Sequence, residues 1–388
     1  MSVTAPKGFV ASGVHCGIRK NERRDLALVR SLEPATGAGM FTINRVQAAP
    51  VVVCKEHLAG AQPQAVVVNS GNANAATGAA GIAHSRATAA TAAQVLGVAA
   101  EQVLVLSTGV IGEPLPVAKV LTGVAQSALL LSRSGGGAAA EAIMTTDTYA
   151  KEAVAHGDGF CVGGMAKGSG MIHPQLATML AVLTTDYPLE PGEALSFLQP
   201  AVDASFNAIS VDGECSTNDA VLLLANGASG VERTRERDAQ FATCVRTACG
   251  ELAKQIVADG EGATVVAEIA VRRAASHGQA RAIAERVATS PLVKTALYGH
   301  DANWGRIAAA AGSAKFNGGF ADLDPDRLSI SIDRVPVFVE GAPTGDEPAL
   351  ADGSCAIEID LGLGDGAATY LTTDLSYDYV KINAEYRT

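Results

Sequence analysis

The sequence has 388 residues, with 29 Lys and Arg against 40 Asp and Glu, and therefore a net charge of −11. Its length exceeds what one hydrophobic core usually serves, so two domains or one large layered domain are expected. A hydrophobic share of 48% argues against disorder, and the negative charge argues against nucleic-acid binding.

The cysteine and histidine patterns bear on compartment and cofactors. Seven cysteines without a C-x-x-C pair, and the lack of a secretory apolar segment, indicate a reduced, cytoplasmic protein. No apolar run is long enough to span a bilayer, so we expect a soluble chain with no membrane partner. The seven histidines lack metal-site spacing, and we expect neither a metal nor another cofactor.

The first half of the chain alternates short apolar runs with turn signals and Ala-rich amphipathic stretches. Strands that end in Gly- or Asn-containing loops are predicted at 25–29, 65–71 and 103–109. Helices are predicted at 80–99, at 117–131, and after the SGGGAAA loop (134–140), ending near 144–147.

The second half continues in the same mixed style. Strands are predicted directly after Thr178 and at 208–213, 219–227, 264–274 and 328–340. Helices are predicted from near Pro191, across 237–258 and at 279–288. This mixture indicates a layered α/β or α+β protein and leaves open whether the strands are parallel. GLGDGAA (362–368) is interpreted as a turn between strands, because its glycines have the wrong register for a phosphate loop.

A Thr-Thr-Asp tripeptide occurs three times, within 144–147, 183–186 and 371–374. The spacing is irregular, so no repeat architecture follows. For the second and third copies we expect Thr-Thr-Asp turn chemistry at the end of a strand or helix.

Standard catalytic motifs are missing, but five loops rich in Asn and Gly follow apolar runs. Neither a G-x-S-x-G elbow nor a G-x-x-x-x-G-K-[ST] loop is present. Any one of the five loops could be a surface turn, yet loops at strand ends often carry chemistry. They are NSGNANAATG (69–78), STGVIGEP (107–114), SVDGECSTND (210–219), ADGEGAT (258–264) and HDANWGR (300–306).

Seven blocks, in order and spread over the chain, carry a specific resemblance. They are FTINRVQAAPV (41–51), NSGNANAATG (69–78), STGVIGEPLP (107–116), KGSGMIHPQLATML (167–180), ISVDGECSTNDAVLLLANG (209–227), SPLVKTALYGHDANWGR (290–306) and NAEYRT (383–388). Together they resemble the ornithine acetyltransferase (ArgJ) family, the bifunctional glutamate N-acetyltransferases of arginine biosynthesis. Several long blocks must coincide, which makes the resemblance highly specific.

The resemblance implies that the chain cuts itself between Ala177 and Thr178, giving an α chain (1–177) and a β chain (178–388) that stay together. A threonine hydroxyl is a poor nucleophile without a base. The freed α-amine of an N-terminal Thr178, with an ordinary pKa of about 7.7–8.0, suits that task. Without the resemblance, a β-branched residue that starts a strand would be the simpler interpretation.

The resemblance also implies the other site residues and the fold. Thr108 (hydroxyl) and Gly109 (backbone N–H) correspond to the oxyanion pair. The fold implied is α/β (mixed α+β): a layered αββα sandwich of the self-processing N-terminal-nucleophile type, with a smaller C-terminal α/β domain at about 285–388. The implied assembly is an α2β2 heterotetramer. The substrate-binding positions are Thr145, Lys167, Thr178, Glu261, Asn383 and Thr388.

The implied reaction is ping-pong transfer of acetyl from N2-acetyl-L-ornithine through Thr178 to L-glutamate. Acetyl-CoA as a second donor is left open, because His173, Gln175 and Leu176 depart from the residues that family members often show there. A second hypothesis keeps the self-processing threonine but makes water the acceptor, as in an aminopeptidase or amidase. A third is a non-enzymatic, glycine-rich nucleotide-binding module with one intact chain.

Overall fold

The computed structural model describes residues 2–173 and 179–385. Among the described residues they form two compact units: unit one runs to Asn207 and includes Glu214–Ile256, and unit two contains Ala208–Gly213 and residues 257–385. Unit two thus begins before residue 285, because a strand at 265–274 lies inside its sheet. The division at the predicted cut falls within 174–178, outside the described residues, and stays a prediction.

The helices and strands alternate along the chain. Up to residue 258 they are β1 (Phe9–Val14), β2 (Leu26–Ser31), β3 (Thr36–Phe41), α1 (Ala49–Gly60), β4 (Ala65–Asn72), α2 (Gly78–Leu96), β5 (Val103–Val110), α3 (Val117–Leu129), α4 (Gly136–Ala142), β6 (Lys151–His156), β7 (Cys161–Lys167), β8 (Leu180–Thr185), α5 (Ala194–Asp203), β9 (Ile209–Ser210), β10 (Ala220–Ala225) and α6 (Arg235–Ala258). The remainder are β11 (Val265–Ala274), α7 (His277–Ala288), α8 (Pro291–Tyr298), α9 (Trp304–Gly312), β12 (Lys315–Phe316), β13 (Gly319–Phe320), β14 (Ser329–Ile332), β15 (Val335–Val339), β16 (Ala342–Pro343), β17 (Gly353–Asp360), β18 (Gly366–Thr373) and α10 (Tyr377–Glu385).

Unit one is built on two sheets. One has the strand order β1-β2-β4-β5 and the other β3-β10-β8-β7-β6. The pairs β4/β5 and β8/β10 are parallel, and the other pairs are antiparallel. Helices α1 to α4 pack on the first sheet and α5 packs on the second, while one buried cluster contains side chains from both sheets. The predicted mixed α+β, layered fold is confirmed.

Strands β8 and β10 have buried side chains at every position. Parallel strands covered on both faces show continuous apolar runs of this kind, here LAVLTT and AVLLLA. The strand predicted after Thr178 is confirmed as β8, which lies between β7 and β10 in the interior of its sheet.

Unit two has a mixed sheet with the strand order β16-β15-β14-β17-β11-β18-β9. Helix α7 packs on β11 and β18 and buries Ile283 and Val287 in the core of this unit. The strand expected across 208–213 is only Ile209–Ser210 long, and the predicted run 328–340 is the hairpin of β14 and β15. The predicted turn at 362–368 connects β17 and β18, as expected.

The second and third Thr-Thr-Asp copies end β8 and β18, as predicted, and their aspartates bind backbone amides. Asp186 accepts hydrogen bonds from the Cys161 and Lys7 amides at 2.9 and 3.1 Å. Asp374 accepts from the Thr264 and Val265 amides at 2.8 and 3.0 Å. Each aspartate therefore joins a strand end to a distant segment of the same unit.

No helix within residues 2–173 and 179–385 has the length and apolar character needed to cross a membrane. In the same ranges, no group of three or more His, Cys, Asp or Glu side chains is arranged to hold a metal ion.

A substitution at Gly13 tests the packing of β1 against α4. A Cβ on Gly13 would lie 1.9 Å from the Ala138 carbonyl oxygen, whereas one on Gly137, in α4 itself, would meet nothing within 4 Å. We expect Gly13→Ala to lower the free energy of unfolding by about 1–3 kcal/mol through overpacking. Gly137→Ala is expected to raise it by about 0.5–1 kcal/mol, because glycine loses more entropy in a helix. Equal urea midpoints for the two variants would contradict this account.

Candidate active site

The predicted oxyanion pair lies near the end of β5, where β5 runs close beside β4. Gly109 faces Gly71 across the parallel pair. A Cβ on Gly109 would lie 2.3 Å from the Gly71 carbonyl carbon, and its φ of +132° is one that other residues rarely adopt. Thr108 is 4% exposed. The position therefore requires glycine and leaves a buried hydroxyl beside it.

Side-chain amides tie the NSGNAN and STGVIG loops together. The Ser107 hydroxyl donates to Asn69 Oδ1 at 2.6 Å, and Asn69 Nδ2 donates to the Asn72 carbonyl at 2.9 Å. Asn72 Nδ2 in turn reaches the Glu113 carbonyl at 3.2 Å. The two loops, quoted separately in the sequence, thus form one hydrogen-bonded structure at the end of the parallel β4/β5 pair.

A buried carboxylate, Asp147, organises the first Thr-Thr-Asp copy. Its Oδ2 accepts the Thr145 amide at 2.7 Å, and its Oδ1 accepts the Gly168 amide and Lys151 Nζ, both at 2.7 Å. The Asp147 and Lys151 side chains are both 0% exposed. Burial alone would raise the pKa of Asp147, but the cations Lys167 and Lys151 outweigh it and lower the pKa to about 2.

Lys167, the predicted carboxylate-binding cation, is the last residue of β7 and is 2% exposed. It pairs in register with Leu180, the first residue of β8, and Leu180 pairs on its other side with Ala220 of β10. Lys167 acts electrostatically on Asp147 and also on Asp219, the residue before β10. The end of β7 and the start of β10 therefore bring Lys167 close to Asp219, and the segment before β6 brings Asp147 close to Lys167.

Asp219 was assigned no role by the sequence, although it lies in the SVDGECSTND loop. It is 0% exposed, and its Oδ1 accepts the Met179 amide at 2.9 Å. Burial raises the pKa of the Asp219 carboxyl well above its usual range, while the Met179 amide and Lys167 oppose that rise. In the sequence, Asp219 is only an aspartate that immediately precedes an apolar strand. That pattern does not predict its hydrogen bond with the Met179 amide.

The predicted cleavage residues Ala177 and Thr178 lie outside the described residues, as does the predicted substrate-binding Thr388. Met179, which follows Thr178 in the chain, is described and is 1% exposed. The geometry of this site is therefore known on the carboxyl side of the proposed cut, at Met179 and Leu180.

In unit two the structure brings together two predicted substrate-binding residues. Asn383 Nδ2 in α10 donates to Glu261 Oε2 at 2.9 Å and to the Tyr379 carbonyl at 3.1 Å. Gly262, with a φ of +66°, allows this approach, because a Cβ there would lie 2.4 Å from the Tyr379 amide nitrogen. The loop quoted as ADGEGAT thus contacts the C-terminal helix directly.

A cavity of about 880 Å³ in unit one is lined by Arg19, Met144 and Thr148 among others. The Arg19 guanidinium donates to the carbonyls of Met144 and Thr145. The lining does not include Thr108, Gly109, Thr145 or Lys167. The cavity therefore lies next to the backbone of Met144 and Thr145, but the four predicted site residues named above do not line it.

The family model for the ArgJ family matches residues 10–388. The chain belongs to the ArgJ family. It is 46% identical over 396 residues to the arginine biosynthesis bifunctional protein ArgJ of Syntrophotalea carbinolica, covering 98% of this chain and 99% of that protein. It is 46% identical over 390 residues to the protein of the same name from Streptomyces coelicolor, with 100% of both chains covered.

A solved structure is also similar in sequence. The crystal structure of ornithine acetyltransferase from Mycobacterium tuberculosis, in complex with ornithine, is 46% identical and covers 45% of this chain and 94% of that one, with a TM-score of 0.44. The family membership rests on the family model and the full-length relatives, which cover the blocks quoted from the sequence.

Removal of the Asp147 charge tests the electrostatic core of the site. Asp147→Asn leaves the buried Lys151 uncompensated, so we expect a loss of about 3–5 kcal/mol in the free energy of unfolding at neutral pH. The folded pKa of about 2 lies below the ordinary value of 3.8, so the carboxylate's stabilisation is complete above pH 3.8 and is lost as the pH falls through 2.

The measurement is urea unfolding of both proteins from pH 7 downward. The difference between wild type and Asp147→Asn should shrink as the pH falls from about 4 to about 2. Glu141→Gln, which breaks a half-exposed pair with Arg24, is the control and should change stability by at most about 1 kcal/mol. Parallel pH curves for wild type and Asp147→Asn would contradict the role of Asp147.

Proposed function

We propose that the chain is a glutamate N-acetyltransferase that transfers acetyl from N2-acetyl-L-ornithine to L-glutamate. Membership of the ArgJ family makes it an acyltransferase of arginine biosynthesis. The observation that carries the proposal is the family match over residues 10–388. It is supported by the buried edge of the sheet where β7 ends and where β8 and β10 begin.

The proposed nucleophile is Thr178, freed as an amino terminus by self-cleavage after Ala177. Its hydroxyl oxygen attacks the acetyl carbonyl carbon, and its own α-amine takes the hydroxyl proton. The tetrahedral intermediate collapses by breaking the C–N bond, and the proton passes to the departing amine of ornithine. The product is an acetyl-threonine ester. The glutamate amine then attacks this ester, and the same steps in reverse release N-acetylglutamate.

The proposed oxyanion donors are the Thr108 hydroxyl and the Gly109 N–H. Preorganised donors of this kind stabilise the negative charge that develops in the transition state. The buried setting of Thr108 supports the role, because a donor in a site from which water is excluded has a stronger effect than one in solvent. The ester must also be protected from water, since its hydrolysis is favourable.

The proposed substrate-binding residues are Thr145, Lys167, Thr178, Glu261, Asn383 and Thr388. A lysine near the start of β8 supplies a cation for an amino-acid carboxylate in a protein of net charge −11. Glu261 supplies a carboxylate that can meet the amine of ornithine. No cofactor is proposed; acetyl-CoA as a further acetyl donor is proposed as the second activity.

The remaining features proposed are an assembly of two α and two β chains and a cytoplasmic location.

The competing function is an amidase or aminopeptidase in which water replaces glutamate as acceptor. Product analysis separates the two: release of acetate that does not depend on glutamate favours the hydrolase. An assay of the pure protein with acetylornithine and acetyl-CoA as alternative donors decides the donor question.

Substitution of the proposed nucleophile is the primary test. Wild-type protein should run on denaturing gels as two fragments of similar size, and Thr178→Ala should remain one band without transfer activity. Mass spectrometry of the wild type incubated with acetylornithine should find an acetyl adduct on Thr178. An intact wild-type chain that still transfers acetyl, or the absence of any adduct on Thr178, would overturn the mechanism.

The proposed oxyanion hydroxyl has its own test. Thr108→Val keeps the shape of the side chain and removes the donor, so kcat of the cleaved protein should fall by about 10²–10³-fold, with a smaller change in KM. Thr184→Val is the control, since it removes a buried hydroxyl that donates to the Val3 carbonyl at 2.7 Å. It should lower thermal stability and leave kcat unchanged. A wild-type kcat in Thr108→Val would exclude the role.

A further inference from the structure

Two adjacent residues of the SVDGECSTND loop hold two segments that are distant in sequence. Asn218 Nδ2 donates to the Ser107 carbonyl at 2.8 Å and to the Ala73 carbonyl at 2.6 Å. Asp219 Oδ1 accepts the Met179 amide at 2.9 Å. Ser107 immediately precedes the proposed oxyanion residue Thr108, and Met179 immediately follows the proposed nucleophile.

The loop that carries these two residues is itself fixed. The Thr217 hydroxyl donates to Asn218 Oδ1 at 2.6 Å, which turns the Asn218 amide nitrogen toward its two carbonyl partners. The Asp219 carbonyl accepts the Thr42 amide at 3.0 Å, and the Ala220 amide donates to the Met179 carbonyl at 3.2 Å. Asn218 and Asp219 are 6% and 0% exposed. Movement of the Asn218 side chain would break three buried hydrogen bonds, and movement of the Asp219 side chain would release the Met179 amide.

Burial of the Asp219 carboxyl is energetically unfavourable, and its hydrogen bond with the Met179 amide offsets only part of that cost. The Met179 amide, the charge of Lys167 and a hydrogen bond from the Ser216 side chain stabilise the ionised carboxyl, and burial opposes them. A buried carboxyl is unfavourable unless its partners compensate fully for the loss of water. Apolar residues follow Asp219 directly in β10, and a position that served only packing would favour an apolar side chain as well.

We propose that Asn218 and Asp219 are the positioning residues of the active site. Asn218 holds the end of β5, which carries the proposed oxyanion donors. Asp219 holds the peptide that follows the proposed cleavage point. Because the two residues are adjacent in the chain, they fix the position of the Met179 peptide relative to the end of β5. The inference rests on the proposed function, since it assigns a purpose to contacts with residues next to Thr108 and Thr178. Neither residue is proposed to touch the substrate.

This arrangement explains why such rigidity is needed. Donors stabilise an oxyanion only when they lie about 2.7–3.1 Å from it. A displacement of about 1 Å can lower the rate by about 10²-fold. Strand β8, which follows the proposed nucleophile in the chain, and β5, which carries the proposed oxyanion residues, belong to different sheets of unit one. Strand pairing alone therefore does not fix the distance between them. A side-chain link between the sheets can.

The test compares Asn218 and Asp219, which precede β10, with an asparagine and an aspartate at the far ends of β10 and β8. Asn226 follows β10, and its Nδ2 donates to the Lys7 carbonyl and the Ser31 hydroxyl, both at 3.1 Å. Asp186 follows β8 and accepts two backbone amides. Each of the four residues is changed to Ala in the full chain. The time course of self-cleavage, kcat and KM for acetyl transfer, and the melting temperature are measured for each variant.

Asn218→Ala and Asp219→Ala are expected to lower kcat by about 10²-fold with little change in KM, and Asp219→Ala is expected to slow self-cleavage. Asn226→Ala and Asp186→Ala should lower the melting temperature to a similar degree and leave kcat and cleavage unchanged. Asp219→Asn keeps an acceptor for the Met179 amide and should recover most of the lost rate.

Equal kcat in Asn218→Ala and Asn226→Ala, or equal cleavage rates in Asp219→Ala and Asp186→Ala, would overturn the proposal. An Asp219→Asn variant as slow as Asp219→Ala would also overturn the anchoring role. If Asp219→Ala does not fold, the pair Asn218→Ala and Asn226→Ala decides the question alone. Self-cleavage needs no acetyl donor, so a failure of the proposed acetyl transfer would appear separately, as a wild-type chain that cleaves but transfers nothing.

Discussion

The site in unit one depends on the pairing of β8 with a different strand on each side. Leu180 pairs with Lys167 on one side and with Ala220 on the other. Neighbouring strands lie about 4.8 Å apart, so the residues that end β7 and precede β10 must lie close to the start of β8. A shift of one residue in this register would turn every side chain of β8 to the opposite face. The cation, the two carboxyl groups and the Met179 amide meet because this register is fixed.

Local charge pairing allows this buried site to exist in an acidic protein. The net charge of −11 gives no help in binding an amino-acid carboxylate. Lys167 and Lys151 are both buried, and isolated buried ammonium groups are costly. Asp147 offsets this cost, since it pairs with Lys151 and lies within the field of Lys167. Lys167, the proposed cation for substrate, is therefore stabilised by a carboxylate that also accepts the Thr145 and Gly168 amides.

Local patterns in the sequence predicted much of the fold. The apolar run ending in Ser-Thr-Gly is β5, and the Ala-rich stretch is α2, which ends at Gly97 in the left-handed conformation. Helix α1 was not predicted, because its Val51–Val53 run favours a strand, while Pro50 in the first turn and burial in the core favour the helix. The hairpin of β6 and β7 was also missed, since Gly163 and Gly164 interrupt the pattern expected of a strand.

The residues of the site were likewise predicted only in part. The resemblance supplied the identities of Thr108, Lys167, Glu261 and Asn383, whose roles stay predictions, and the structure adds that Asn383 donates a hydrogen bond to Glu261. It assigned nothing to Asp147, Asn218 or Asp219, whose partners lie far away in sequence. A turn-forming Asp or Asn looks the same in the sequence whether it caps its own loop or joins two sheets.

The three Thr-Thr-Asp copies show how one local chemistry acquires different consequences. Each aspartate accepts backbone amides, which is the turn behaviour expected of this tripeptide. Asp186 accepts the Cys161 and Lys7 amides, and Asp374 accepts two backbone amides and the Thr264 hydroxyl. The buried Lys294 also acts electrostatically on Asp374. Asp147 differs because β7 and the start of β6 place two lysines around it. The tripeptide is the same in all three places, and the third copy has one buried lysine, Lys294, nearby. The first copy differs in having two lysines, one of which, Lys151, pairs directly with its aspartate.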